Sequence, residues 1–101
     1  MHISDADADR VMQRILHDIE TTLGPGYDQI VISQSDQLRA YADLSWYSQR
    51  LIHDVQQCMH DLRIDTTWPR CPIHLRHPLW PEGDDWRCGD VIVAKIGELK
   101  G

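Results

Sequence analysis

Residues 68–90 form the feature that most constrains this chain, a stretch dense in Cys, His, Pro and Trp. It begins Trp-Pro-Arg-Cys-Pro-Ile-His-Leu-Arg-His-Pro-Leu-Trp and ends Trp-Arg-Cys-Gly-Asp. Two cysteines and two histidines in so short a span are the side chains that bind transition metals. Three tryptophans supply apolar area where regular structure is scarce. The stretch therefore predicts a loop-rich tail with one chemical site.

The spacing of the Cys and His residues predicts a metal knuckle. Cys71 and His74 are three residues apart, and the intervening Pro72 stiffens the turn between them. His77 follows at the same interval, and Cys88 can close the set from a second turn. Two thiolates and two imidazoles make a tetrahedral zinc site, and a closed four-ligand set is typical of structural zinc. We therefore predict a structural zinc ion on Cys71, His74, His77 and Cys88.

Two other interpretations of the same residues stay open. Cys71 and Cys88 can be small apolar core residues with His74 and His77 as surface loop residues. The two cysteines can also form a disulfide if the protein is exported. The order C-x2-H-x2-H-x10-C lacks the second close pair of a usual zinc finger, so spacing alone does not decide among the three.

The same residues carry a resemblance to a known group of proteins. The run WPRCPIHLRHPLWP…WRCGDVIVAKIGEL resembles the C-terminal part of small, uncharacterised bacterial and phage-type proteins. Their pattern is C-P-x-H…H-P-L, then W-x-C-P and a terminal I-G-E-L. It covers about a third of this chain, which departs from it at Gly89, where the pattern more often has Pro. The resemblance implies a small zinc-ribbon-like tail and no known activity.

The charge of the chain is acidic and unevenly distributed. The net charge is -6, and up to Ile64 ten acidic residues face five arginines, whereas later six acids face five bases. A protein that binds the phosphate backbone has the opposite bias, so we expect no free nucleic acid partner. Arg70, Arg76 and Arg87 surround the predicted site and leave two options. Either they are solvated or paired with Glu82, Asp84 and Asp85, or they bind a phosphate group or a nucleic acid base.

Cysteine count and the N-terminus bear on the cellular compartment. Three cysteines are an odd number, which argues against a full disulfide framework, and Cys58 is expected to be a buried or half-buried free thiol. The N-terminus is acidic and lacks the basic and apolar regions of a signal peptide. No apolar run is long enough to span a membrane. We expect a cytoplasmic protein.

Hydrophobic periodicity predicts two helices and two strands before the tail. Ser4 can cap a helix whose apolar stripe runs from Ala8 to Leu23 and which ends at Gly24-Pro25-Gly26. The β-branched run Ile30-Val31-Ile32 predicts a strand over 27–33, and alternation predicts another over 38–44. A second helix is predicted over 48–63, with an apolar stripe at Leu51, Ile52, Val55, Cys58, Met59 and Leu62. One long helix over 36–62 is the alternative to the second strand plus helix.

These elements predict the architecture. The chain of 101 residues is long enough for one domain with a modest core, here a core part at 1–64 and a metal-binding tail at 65–101. We predict an α+β fold in the order α-β-β-α, two helices packed on a small antiparallel sheet. A zinc-knuckle-like hairpin, with a strand pair or one bent strand over 86–96, follows at the C-terminus.

No catalytic motif accompanies the site, and three functional hypotheses follow. P-loop, G-x-S-x-G, H-E-x-x-H and zinc deaminase signatures are absent from the sequence. The first hypothesis is a non-enzymatic module that binds another protein, with zinc folding its tail. The second is an acidic inhibitor, of the immunity or anti-defence type, that covers a basic protein surface. The third is a zinc-dependent hydrolase, with Glu82, Asp84 or Asp85 as general base.

Overall fold

The fold consists of three helices followed by a small sheet. The structure is a computed structural model that describes residues 4–38, 44–65, 67–74 and 77–100. The helices are α1, Asp5–Leu23, α2, Asp28–Leu38, and α3, Leu44–Asp61, and the strands are β1, Trp80–Glu82, β2, Asp85–Cys88, and β3, Val91–Lys95. The three strands form one antiparallel sheet in sequence order. The predicted α+β class is confirmed, whereas the order α-β-β-α is wrong.

Helix α1 begins and ends where the sequence predicts. The Ser4 hydroxyl accepts a hydrogen bond from the backbone N–H of Asp7 at 3.2 Å, which satisfies one of the free donors of the first turn. Gly24 ends the helix with a positive φ of 93° and donates its N–H to the carbonyl of Glu20. The predicted stripe is buried at Ala8, Val11, Ile15, Leu16 and Ile19.

Helix α2 replaces the strand predicted over 27–33. Val31, Ser35 and Leu38 are buried, a spacing of four and three residues that follows one face of a helix. Ile32, which the strand interpretation used, is 38% exposed. The prediction of a strand was wrong because the intrinsic preference of β-branched residues for strands is weak. Contacts of this segment with α1 and α3 favour the helix instead. In the strand predicted over 38–44, Leu38 ends α2 and Leu44 begins α3, so both ends are wrong; residues 39–43 lie outside the described residues.

Helix α3 runs through the middle of the fold and contacts both other helices and β1. It starts four residues earlier and ends two residues earlier than predicted. Its predicted stripe is buried at four positions, Leu51, Ile52, Val55 and Met59. Leu62, expected on that stripe, lies beyond the helix and is 60% exposed. The alternative of one long helix over 36–62 includes residues 39–43, which lie outside the described residues, so it stays a prediction.

The sheet packs one face inward and leaves the other exposed. Pro81 and Trp86 are paired across β1 and β2, and both are buried. Trp86 packs edge-on against the buried Trp68, with ring centres 5.7 Å apart. Two of the three tail tryptophans therefore cover the core as predicted, whereas Trp80 is 58% exposed.

A buried carboxylate ties the sheet and the C-terminal segment to α1. Asp18 is fully buried and accepts three hydrogen bonds, from Trp86 Nε1 at 2.7 Å, Gly97 N at 2.7 Å and Leu99 N at 2.9 Å. Gly97 has a positive φ of 95°, and a Cβ there would lie 3.0 Å from the Arg14 side chain. Glycine at this position lets the backbone approach α1 closely enough to reach the carboxylate.

Within the described ranges, no helix combines the length and apolarity needed to cross a bilayer.

Candidate metal centre

A loop between α3 and β1 carries the first two candidate ligands. The two ends of this loop, residues 69–79, lie side by side. The backbone N–H of Leu79 donates to the carbonyl of Pro69 at 2.6 Å, and that of Cys71 donates to the carbonyl of His77 at 3.0 Å. The Gln56 amide on α3 donates to the carbonyls of Trp68 and Leu79 at 3.3 and 3.0 Å. The 69–79 loop is therefore anchored to α3 at its base.

The sulfur of Cys71 lies inside the turn that the loop forms. It accepts the backbone N–H groups of Ile73 and His74, both at 3.4 Å. Burial raises the pKa of the Cys71 thiol, but hydrogen bonds from the Cys88 thiol and from those two N–H groups outweigh burial. Its pKa therefore lies below the ordinary value. A turn that donates two N–H groups to one sulfur stabilises a thiolate, the form that binds metals.

The sheet delivers Cys88 to the same place. Cys88 ends β2, and Gly89, with a φ of 60°, begins the turn to β3. The two sulfurs of Cys71 and Cys88 are near 2.9 Å apart, and His74 Nδ1 lies 3.1 Å from the Cys88 sulfur. Hydrogen bonding to Cys71 raises the pKa of Cys88, and burial and the charge on Cys71 raise it further.

Three of the four predicted ligands are assembled into one group. Among the described residues, the ligand atoms of Cys71, His74 and Cys88 all lie within 4.8 Å of one another, and such a group could hold a metal ion. His77 is not a member of this group. Its ring lies next to that of His74, with ring centres 6.1 Å apart. The cysteines are free thiols, and Cys58 lies apart from them on α3.

Two acidic residues near the group, Glu82 and Asp84, form ion pairs with arginines. The Arg87 guanidinium lies 3.8 Å from Glu82, and Asp84 lies 3.5 Å from Arg14. Arg76, the second of the three arginines named above, lies outside the described residues. No acidic side chain belongs to the Cys71–His74–Cys88 group within the described part of the chain.

Sequence reasoning missed the residues that hold the site in place. Gln56 was not singled out, although it lies four residues after Ile52 and three before Met59 on the buried side of α3. Asp18 was not expected among the buried residues, although it follows Val11 and Ile15 at spacings of seven and three. A polar side chain that interrupts an apolar stripe is the signal that identifies both residues.

Comparison of this chain with protein-family models, curated proteins and solved structures finds no match. The resemblance of the tail to the bacterial and phage-type proteins stays a prediction.

Proposed function

We propose that this protein is a small non-enzymatic module that binds another protein and whose tail is held by one structural zinc ion. The observation that carries the proposal is the group of Cys71, His74 and Cys88 ligand atoms within 4.8 Å. Two thiolates and an imidazole form a donor set that zinc prefers. Bound zinc would join the 69–79 loop to the end of β2, two parts of the chain that have little regular structure to hold them together.

The ligand spacing fits zinc after a small adjustment. Two sulfurs on one tetrahedral zinc, each about 2.3 Å from the metal, lie about 3.8 Å apart. The Cys71 and Cys88 sulfurs, near 2.9 Å apart, would separate by about 1 Å. Cys88 is half-buried at the end of a strand, so its side chain has room to move.

His77 supplies the fourth ligand in this proposal. Two imidazoles on one tetrahedral zinc have ring centres about 5 Å apart. The His74 and His77 rings are 6.1 Å apart, and both residues are exposed. In this proposal the exposed His77 side chain rotates to complete the set Cys71, His74, His77 and Cys88. The site is then closed, and zinc acts structurally.

We expect the reduced protein to bind one zinc ion per chain and to lose stability when a strong chelator removes it. The measurement is elemental analysis together with native mass before and after chelation. His77→Ala should weaken zinc binding and leave the other three ligands in place, whereas His60→Ala, at an exposed position near the end of α3, should leave affinity unchanged. Reduced protein that binds no zinc contradicts the proposal.

The partner-binding part of the proposal is supported by the exposed face of the sheet. Trp80, Arg87 and Ile92 are in register across β1, β2 and β3, so they form one row. Trp80 and Ile92 are 58% and 53% exposed. Tryptophan and arginine are the residue types that dominate binding energy at protein interfaces. We name Trp80, Arg87 and Ile92 the sheet row and assign it the contact with the partner.

Truncation of the sheet row is expected to weaken binding to a partner captured with the wild-type protein. Replacement of an interface hot spot costs about 2 kcal/mol, which is about a thirtyfold rise in Kd. We expect that loss for Trp80→Ala, measured by calorimetry or surface plasmon resonance. Ile32→Ser is the matched control because Ile32 is an exposed apolar residue on α2. Equal losses in both variants would show that the sheet row is not the contact.

The acidic inhibitor is a second candidate function, favoured by the charge of the first two helices. Seven acidic residues and two arginines lie between Ser4 and Leu38, and five of these acids, Asp5, Asp9, Glu20, Asp28 and Asp36, are exposed. A basic partner would bind this surface with an affinity that falls steeply with salt. Binding through the sheet row depends on salt far less, so a salt titration of the same complex separates the two candidates.

A further inference from the structure

The two cysteines of the candidate metal centre, Cys71 and Cys88, are in direct contact with each other. Their sulfurs are near 2.9 Å apart, which is closer than the contact distance of two non-bonded sulfurs. They are brought together from different turns, one in the 69–79 loop and one at the end of β2. Both are free thiols. A bond between the sulfurs would require a shift of only about 0.9 Å, because a disulfide is about 2.0 Å long.

We propose that Cys71 and Cys88 are an oxidation site, at which a peroxide converts the two thiols into a reversible disulfide. The disulfide removes two of the metal ligands, so oxidation and zinc binding exclude each other. That consequence for zinc rests on the proposed function, whereas formation of the disulfide does not.

The two cysteines have different roles in this reaction because they differ in exposure. Cys71 is fully buried, whereas Cys88 is half-buried, so a peroxide in solution meets Cys88 first. His74 Nδ1, 3.1 Å from the Cys88 sulfur, can relay the proton of the Cys88 thiol to the leaving peroxide oxygen. The Cys71 sulfur accepts two backbone N–H groups and needs no exposure, since its target, the Cys88 sulfur, is near 2.9 Å away.

The reaction balances in two steps. The Cys88 sulfur attacks one peroxide oxygen, the O–O bond breaks, and the products are a sulfenic acid at Cys88 and a water that takes up the thiol proton. The Cys71 sulfur then attacks the Cys88 sulfur, the S–S bond forms as the S–O bond of the sulfenic acid breaks, and the hydroxide leaves as water with the proton of the Cys71 thiol. The two sulfurs give up two electrons in total, and hydrogen peroxide is reduced to two waters.

The disulfide can be identified by mass spectrometry of the full chain. Reduced, chelator-treated protein is exposed to one equivalent of hydrogen peroxide, alkylated and digested with trypsin. We expect the intact mass to fall by two hydrogens and two of the three thiols to escape alkylation. Trypsin should release residues 71–76 joined to residues 88–95, because Arg and Lys residues flank both cysteines. A dithiol reductant should restore all three thiols.

Cys58→Ser and Cys88→Ser are the two comparison variants. Cys58→Ser should react as the wild-type protein does, and Cys88→Ser should lose the linked peptide. Oxygen addition without linkage, or dimers joined through Cys58, would overturn the inference.

The zinc-loaded protein provides the second measurement, which keeps this inference separate from the proposed function. Peroxide should release one zinc per chain, detected with a chromogenic chelator, in step with the disulfide. Zinc release without linkage between Cys71 and Cys88 overturns the inference and leaves the zinc proposal intact. Linkage in a reduced protein that binds no zinc supports the inference and removes the zinc proposal.

Discussion

Replacement of Asp18 with alanine is expected to lower the free energy of unfolding by about 3–5 kcal/mol. The Asp18 carboxylate is the acceptor for Trp86 Nε1 and for the backbone N–H groups of Gly97 and Leu99. Each buried donor left without an acceptor costs about 1–3 kcal/mol. Small domains have a total stability of about 5–15 kcal/mol, so the variant should lose a large fraction of its stability.

Three further variants test whether the loss of stability comes from the hydrogen bonds of Asp18 or from any substitution in α1. Asp18→Asn keeps one carbonyl oxygen that can still accept hydrogen bonds, whereas its NH2 group faces the remaining donors. It should therefore lose less stability than Asp18→Ala. Trp86→Phe removes a single donor and keeps an aromatic ring in the core. Asp9→Ala changes an exposed acid on the same helix and should alter stability by less than about 0.5 kcal/mol.

The measurement is urea unfolding followed by far-UV circular dichroism, with the slope of the transition compared among variants. Equal midpoints for Asp18→Ala and Asp9→Ala would contradict the role assigned to the carboxylate. A loss for Trp86→Phe larger than that for Asp18→Ala would mean that ring packing, rather than the hydrogen bonds, dominates at this position.

The first helix was predictable because several local signals agree on it. The Ser4 cap, the acids of the first turn and the apolar stripe all indicate a helix, and Gly24 ends it. Helix α2 was not predictable in the same way. Its Ile30-Val31-Ile32 run favours a strand locally, and only packing against α1 and α3 selects the helix.

The tail shows the same division between local and non-local information. The turn that places Cys71 and His74 together is short, and its spacing is visible in the sequence. Strand β1 was not predicted, because Pro81 lies at its centre and proline is unusual within strands. The strand forms because β1 is at the edge of the sheet, where a missing N–H is tolerated.

The contact between Cys88 and the 69–79 loop depends on where the sheet packs. That position depends in turn on Gln56, which binds the carbonyls of Trp68 and Leu79, and on Asp18, which binds Trp86. Spacing identifies which residues can bind a metal, but it does not determine which of them meet. His77 illustrates this limit, since its spacing matches that of His74 but it is not a member of the three-ligand group.

Replacement of Cys71 with serine is expected to abolish the stabilisation that zinc gives. A ligand that binds only the folded state adds about 2.7 kcal/mol when its free concentration is one hundred times Kd. For a domain of about 100 residues this corresponds to a rise in Tm of roughly 10–20 °C. Cys71→Ser removes one of the two thiolates, so its Tm should be nearly the same with zinc and with chelator.

Comparison with a second cysteine separates ligand loss from loss of packing. Cys71 is fully buried, so Cys71→Ser also lowers the Tm of the metal-free protein, and only the zinc-dependent difference reports on coordination. Cys58→Ser changes a half-buried thiol on α3 outside the ligand group and should keep the full zinc-dependent rise. The measurement is differential scanning calorimetry of both variants and the wild-type protein, each reduced, at matched free zinc and in chelator. A zinc-dependent rise in Cys71→Ser as large as that of the wild-type protein would exclude Cys71 as a ligand. A rise lost equally in both variants would place the zinc at a different set of residues.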